Sequence, residues 1–462
     1  MKDRMVKNKS PETNTAETEL PLDIDPALYD GMAARKIALT LLQNVLQKKQ
    51  TLDTALDNET TLQALSYRDR AFTRMLVSTS LRRLGQIDDL IERAIEKKDT
   101  PRNLILQNIL RLGATQILFM DVPDHAAVDT TVRLTENENM TRQKGFVNGL
   151  LRTLTRQGAD WKATQNENSL NTPDWLWTLW CDDYGQEIAE RIGQAHLSEA
   201  PLDVTVKEEK TQKFWQETLE ALRLPTGTLR LPSGGTVQAR EGFSEGHWWV
   251  QDASAALPAL LFGDMTDRPV LDLCAAPGGK TLQLASRGAQ VTALDRSVNR
   301  LKRLEENLKR MGLSERVTIQ AADAATWSPP TPAPYILLDA PCSATGTIRR
   351  HPDVAHLKLP QDLARLQHLQ VTLLKQAYRN LRPEGVLIYC TCSLQKAEGE
   401  NIVNSFLENT PEALRLPIMA EELGGLSAPL TPEGDLRVFP FHLAEYGGMD
   451  GFYVARLTKR AI

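Results

Sequence analysis

The hydrophobic period of this chain changes at about Val250, and that change limits the folds open to it. Beyond it, short apolar runs at Pro269–Leu273, Val291–Leu294, Val317–Gln320, Tyr335–Leu338 and Val386–Tyr389 are separated by stretches with helical spacing. Such short runs fit strands covered on both faces, and parallel strands need a helix-length crossover between them. The alternation predicts a parallel, doubly wound α/β sheet of Rossmann-like type. Between about Leu28 and Asp160 only the helical period is present, carried by Ile37, Leu41, Leu42, Val45 and Leu46, then by Phe72, Leu76, Val77 and Leu81. Thr100-Pro101 is expected to cap and open a helix along Leu104, Ile109 and Leu110, with Gly113 interrupting the run and Pro123 marking a turn. A last helix carries Phe146, Val147, Leu150, Leu151 and Leu154. A chain of 462 residues is too long for one core, so a multidomain protein is expected: an all-α domain, then an α/β domain.

The expected boundaries are a disordered polar tail over 1–27, a helical domain over 28–163 and a polar hinge over 164–172. A linker helix bearing Trp175, Trp177 and Trp180 with a small α+β subdomain fills 172–246, and the α/β domain fills 247–462. The net charge of −5 does not by itself favour a nucleic-acid partner, but the helical block carries a basic excess while the remainder is acidic. Five cysteines without framework spacing, and no secretory leader, lead us to expect a reducing cytoplasm. No apolar run is long enough to span a bilayer, so no membrane association is expected, and nothing calls for an obligate protein partner.

The first chemical motif is Val270-Leu271-Asp272-Leu273-Cys274-Ala275-Ala276-Pro277-Gly278-Gly279-Lys280-Thr281. It reads as a buried strand, a turn of small residues and the start of a helix. Small residues let a ligand approach the backbone, and a helix start offers free N–H groups to an anion. Asp295 ends the next strand, where a carboxylate accepts from ribose hydroxyls, and Asp323 ends the third, near an adenine. Together they describe a nucleoside laid across strand ends. The turn departs from the dinucleotide glycine pattern, which disfavours NAD.

Two further strand ends carry cysteine: Asp339-Ala340-Pro341-Cys342-Ser343 and Tyr389-Cys390-Thr391-Cys392-Ser393. In a doubly wound sheet these ends line the ligand crevice, so Asp339, Cys342 and Cys392 are expected to converge beside the nucleoside. Cys274 and Cys390 read as small buried hydrophobes. A metal site is not expected, since Cys390-Thr391-Cys392 has alternating side chains and no histidine pair nearby. A thiolate suits carbon–carbon bond formation at a pyrimidine: adding to carbon 6, it dearomatises the ring and makes carbon 5 nucleophilic, while a carboxyl at Asp339 shares a proton with ring nitrogen 3. The base must leave its stack to enter such a pocket.

These segments resemble the RsmB/NOP family of RNA cytosine-5 methyltransferases. The resemblance is carried by Val250-Gln251-Asp252-Ala253-Ser254-Ala255, the Cys274–Lys280 turn, Asp339-Ala340-Pro341-Cys342-Ser343, Thr391-Cys392-Ser393 and Asp450-Gly451-Phe452-Tyr453. It implies Cys392 as nucleophile and Cys342 as the helper that promotes release of the methylated base. It further implies that Cys274, Ala275, Ala276, Pro277, Gly278, Gly279, Lys280, Asp295, Asp323 and Asp339 hold S-adenosyl-L-methionine. The front of the chain is similar to NusB-type RNA-binding domains through Arg68-Asp69-Arg70-Ala71-Phe72, Ile109-Leu110-Arg111-Leu112-Gly113-Ala114, Asp121-Val122-Pro123-Asp124-His125-Ala126-Ala127-Val128 and Lys144-Gly145-Phe146-Val147-Asn148. That pairing of domains implies small-subunit (16S) ribosomal RNA as the substrate. Arg68, Arg70, Lys144, Arg152 and Arg156 are candidates for an RNA-facing surface. One departure stands out: Thr205-Val206-Lys207 occupies a place where the family usually shows Arg-Val-Asn. The alternatives are the same chemistry on transfer RNA or another RNA, and a non-catalytic RNA-binding assembly protein.

Overall fold

The computed structural model describes residues 31–95 and 101–461. The expected tail over 1–27 and Thr100 lie outside the described residues.

The first third is helical: α1 (Met32–Leu46), α2 (Leu52–Asn58), α3 (Tyr67–Arg82), α4 (Leu84–Ala94), α5 (Leu104–Leu118), α6 (Asp124–Asn137) and α7 (Lys144–Ala163). Their apolar stripes close two adjoining cores, one under α1 and α3, the other between α4, α5 and α7. Asn103 caps α5, accepting from the Ile105 and Leu106 N–H groups, and the helix begins three residues beyond Pro101. Gly113 does not interrupt α5. A Cβ there would lie 2.8 Å from a Leu151 methyl and 2.9 Å from the Thr131 methyl, so glycine instead lets α6 and α7 pack close. The polar stretch after α7 is bound back onto the domain. Gln165 donates to Gln86 O and to Asp89, Asn171 donates to Gln86, and Gly85 lies against the Leu170 backbone. These partners consume the polar groups that made the segment look like a hinge.

Helices α8 (Glu167–Leu170), α9 (Asp174–Tyr184) and α10 (Gln186–His196) lead into a small antiparallel sheet of order β2–β3–β1–β4. Its strands are β1 (Leu202–Val206), β2 (Leu222–Arg223), β3 (Leu229–Leu231) and β4 (Trp248–Val250), with α11 (Gln212–Thr218) packed on it through Trp215. Thr205-Val206-Lys207 ends β1. Thr205 bonds Gln251, and Lys207 Nζ reaches the Met311 carbonyl at the end of a helix of the last domain, where a cation is favoured. Lys207 thus fastens the small sheet to its neighbour.

The last domain contains α12 (Ala253–Leu260), β5 (Pro269–Leu273), α13 (Gly279–Ser286), β6 (Gln290–Asp295), α14 (Val298–Met311), β7 (Val317–Ala321) and β8 (Ala333–Asp339). It continues with α15 (Val354–Leu357), α16 (Pro360–Asn380), β9 (Leu381–Thr391), α17 (Glu400–Glu408), β10 (Ala413–Arg415), β11 (Leu436–Val438) and β12 (Phe452–Lys459). Strands β7–β6–β5–β8–β9 are parallel; β12 joins β9 antiparallel and carries β10 and β11 beyond it. The sheet is therefore mixed, not wholly parallel. Its central strands are covered on both faces, Val270, Val291 and Ile388 facing one core and Leu271, Ile336 and Tyr389 the other, as the two-residue period of a strand requires. The chain turns from β5 to β6 on one side and later returns to place β8 on the other. The C-terminal ends of β5 and β8 therefore flank a crevice where ligands bind in such sheets.

Candidate active site

The turn after β5 is built for close approach. Cys274 has φ +63° and Gly278 φ +110°, and a Cβ at Gly278 would come within 2.3 Å of Leu304 Cδ1. No side chain caps the start of α13, which leaves its first N–H groups available to an anionic group. Asp295 is 3% exposed and braces the turn: Oδ2 accepts from the Ala276 N–H (3.2 Å) and pairs with Arg300 (3.1 Å), and Oδ1 accepts from the Ser297 N–H (2.9 Å). Arg300 also donates to the Ala276 carbonyl. Asp323 accepts from the Ala325 N–H through Oδ1. Cys274, Asp295, Arg296, Arg300, Asp323 and Pro341 line an open cleft whose apolar side is formed by Leu294, Leu369 and Leu373. An apolar slot edged by two carboxylates and an uncapped helix start fits a nucleoside bearing an anionic tail.

Ala275 donates to the Leu294 carbonyl and Pro277 has no N–H, so these two residues shape the turn. Gly279 opens α13, and Lys280 points toward β8, where its Nζ lies 2.7 Å from Asp339 Oδ2 and 4.9 Å from the centre of the Phe452 ring. Burial works against the charged ammonium, but Asp339 outweighs it and holds Lys280 firmly protonated. The Cys390 thiol sits 3.6 Å from Asp339 Oδ1. Lys280 thereby links the turn to the second half of the site.

That half contains the two thiols. Cys342 and Cys392, both half-buried, have their sulfurs 3.5 Å apart at the ends of the paired parallel strands β8 and β9. The hydrogen bond to Cys392, followed by burial, holds the Cys342 thiol well above the ordinary cysteine range. Burial, then the nearby Asp295, Asp339 and Asp272 carboxylates, push Cys274 up to about 12, and burial likewise raises Cys390. Both are inert thiols packed against the sheet. Among the described residues no group of three or more histidine, cysteine or carboxylate side chains is placed to hold a metal ion.

Several residues that sequence reasoning did not select build this geometry. Arg349 is 2% exposed and pairs with Asp450 (2.8 Å) and Asp252 (3.1 Å), while Arg350 reaches the same two carboxylates. The Asp252 and Asp450 motifs therefore serve to anchor the segment that follows Cys342. Gly346 N donates to the Cys392 carbonyl and Gly451 N to the Gly346 carbonyl; a Cβ on Gly346 would meet Gly451 O at 2.0 Å. The helical domain docks on this same segment, with the Leu52 N–H on Asp353, Arg82 on the Arg349 carbonyl and the His356 ring on the Leu81 carbonyl. No local sequence signal marks Arg300, Arg349 or Arg350, because their partners lie on other elements.

A nucleoside crevice at the switch point of a seven-element strand path, joined to paired thiols, defines an S-adenosylmethionine-dependent methyltransferase. Residues 260–458 match the model of the 16S rRNA methyltransferase RsmB/F family, and residues 32–156 that of the NusB family. The ribosomal RNA small subunit methyltransferase B of Vibrio cholerae serotype O1 is 33% identical over 443 residues, covering 93% of this chain and 98% of that one. This chain belongs to that family of RNA methyltransferases. The crystal structure of PH0851 matches 95% of this chain and all of its own with a TM-score of 0.72 at 24% identity, which shows the shared fold. That of NSun6 from Pyrococcus horikoshii with SFG covers 63% of this chain and 99% of its own, with a TM-score of 0.53 at 19% identity.

Proposed function

We propose that this enzyme methylates carbon 5 of a cytosine in small-subunit ribosomal RNA, with Cys392 as the nucleophile. The observation that carries the reading is the pair of thiols 3.5 Å apart beside Asp339, at strand ends adjoining the nucleoside crevice. The Cys274–Lys280 turn, Asp295 and Asp323 hold S-adenosylmethionine, which supplies an electrophilic methyl group on a sulfonium. Cys392 adds as the thiolate to carbon 6, and the electron pair released into the ring makes carbon 5 the nucleophile. Asp339 relays a proton from the Lys280 ammonium to ring nitrogen 3, which neutralises the charge that develops there, and takes it back as Cys392 leaves. Once carbon 5 carries the methyl group it loses its proton to a base, and the Cys392 sulfur departs as a thiolate. Cys342, with its sulfur 3.5 Å from that of Cys392, is the helper that promotes this release, the role that the family resemblance implies for it.

The helical domain positions the RNA. Arg68, Arg152 and Arg156 are exposed, as is Lys144, whose charge is partly met by Glu136 at 2.6 Å; Arg70 is half-buried. Five free cysteines support a reducing cytoplasm as the place of action. No helix among the described residues is long and apolar enough to cross a membrane. The reading is tested by incubating the purified protein with labelled S-adenosylmethionine and either unmethylated small-subunit ribosomal RNA or transfer RNA, then mapping bisulfite-resistant cytosines. It predicts a protected cytosine in the ribosomal RNA. Label placed only in transfer RNA, or on an atom other than carbon 5, contradicts it, and no transfer at all returns the non-catalytic alternative.

A further inference from the structure

Glu398 is a carboxylate with no exposure, and among the described residues it has no ion-pair partner. Its donors come from three places that must stay together for the site to exist. The Ser343 N–H lies 3.0 Å from Oε1 and 3.2 Å from Oε2, and the Ser343 hydroxyl also donates to Oε2. The Ser393 hydroxyl is 2.6 Å from Oε2, and Gln370 Nε2, on α16, is 3.0 Å from Oε1. Ser343 directly follows Cys342 and Ser393 directly follows Cys392. Gln370 Nε2 further bonds the carbonyl of Pro341, on the other side of Cys342. The Glu398 backbone carbonyl accepts from the Tyr389 hydroxyl at the end of β9. A buried carboxylate without a cation is costly unless N–H and O–H groups satisfy it, and here they come from both cysteine loops.

We propose that Glu398 is a positioning residue that clamps the Cys342 and Cys392 loops into the single arrangement in which the two sulfurs meet. The proposal rests on the two-thiol reading above and assigns no contact between Glu398 and the RNA. The Ser343 N–H, the Gln370 amide and two hydroxyls, which Gln395 Oε1 shares, converge on the two oxygens, so a group that accepts through both atoms suits the place best. Glu398→Gln keeps the shape but leaves one acceptor oxygen where there were two, which loosens the hold on the two loops.

The test is the rate at which the two thiols cross-link in the RNA-free protein when diamide is added. Diamide takes two electrons and two protons from the thiols to give a Cys342–Cys392 disulfide and its own hydrazine form, and peptide mapping reads the product. Lost position predicts at least a ten-fold slower cross-link in Glu398→Gln, with a comparable fall in kcat and little change in S-adenosylmethionine affinity. The charge alone predicts the opposite sign, because the Glu398 carboxylate adds to the Cys392 bond and the burial that raise the Cys342 thiol, and its neutralisation would move that thiol toward the thiolate. An unchanged or faster cross-link overturns the proposal. Should Glu398→Gln fail to fold, the Ser343→Ala, Ser393→Ala double variant removes both hydroxyl donors and is judged by the same sign. Cross-linking requires no RNA and no turnover, so failure of the covalent reading appears elsewhere, as a Cys342→Ala enzyme that forms no RNA adduct.

Discussion

The sulfurs of Cys342 and Cys392 lie 3.5 Å apart although fifty residues separate them, because β8 and β9 are parallel neighbours whose C-terminal ends are in register. Asp339 pairs with Cys390 across the same two strands, which places the carboxyl, the Lys280 ammonium and both thiols at one edge of the sheet. The proposed proton partner and the proposed nucleophile are thereby fixed on rigid elements, with the Cys274–Lys280 turn opposite.

In the proposed mechanism the Lys280–Asp339 pair is part of the chemistry as well as the fold. Asp339→Asn removes the carboxyl that stabilises the ring and leaves the ammonium buried without its anion. A fall in kcat of about 10²–10⁴ is expected, the usual range for loss of a positioned acid–base group. Lys280→Met should cost about 2 kcal/mol of stability, because Asp339 is one-third exposed and water recovers part of the lost pairing. Single-turnover kinetics and urea denaturation read the two effects.

Gly278→Ala tests the turn. Its φ of +110° is strained for any side chain, and the new methyl would press on Leu304. The expected outcome is at least a ten-fold loss of S-adenosylmethionine affinity by calorimetry, with RNA affinity retained, since the helical domain is untouched.

Asp272 gives the fold a pH dependence. It lies beneath the turn, 1% exposed, with Thr281 donating to Oδ2 at 2.5 Å and, among the described residues, no partner for Oδ1. Burial, opposed by the Thr281 bond and assisted by Asp339, raises its carboxyl to about 7. The unfolded chain releases this proton near pH 4 and the folded protein only near pH 7, so the folded state binds the extra proton between those values. The stabilisation is full below pH 4 and is lost as pH rises through 7. Between pH 5 and 8 this group should lower stability by roughly 2–3 kcal/mol. Denaturation of Asp272→Asn at both pH values should show that part of the difference gone; an unaltered difference would show that Asp272 does not titrate there.

The exposed arginines of the helical domain give a salt signature. Replacing Arg68, Arg152 and Arg156 by Ala should weaken RNA binding and flatten its dependence on salt, by a slope change of at most about 0.7–0.9 for each phosphate no longer neutralised. Filter binding across salt concentrations checks this, and an unchanged slope would mean that these side chains face solvent only.

The two fold classes and the strand ends were legible because each rests on a local pattern. The apolar runs at Pro269–Leu273 and Tyr335–Leu338 fall within observed strands, and of the residues just beyond them Cys274 and Pro341 line the cleft. What could not be read were relations between distant elements. Gly113 looks like a helix breaker until α6 and α7 are seen against it. The antiparallel strand β12 looks like any other strand, and only its pairing with β9 makes the sheet mixed. Glu398 sits in an ordinary polar stretch, Lys396-Ala397-Glu398, and gains its meaning from Ser343 and Gln370, brought in by other elements.

The roles of the two thiols are separated most directly by incubating Cys342→Ala and Cys392→Ala with substrate RNA and S-adenosylmethionine, then resolving the products on a denaturing gel. With Cys392 attacking and Cys342 assisting departure, the Cys342→Ala protein accumulates as a slow-migrating covalent RNA adduct, and the Cys392→Ala protein forms none and turns over no substrate. An adduct on Cys392→Ala in place of Cys342→Ala reverses the roles, and the absence of an adduct from both variants contradicts covalent catalysis at this site.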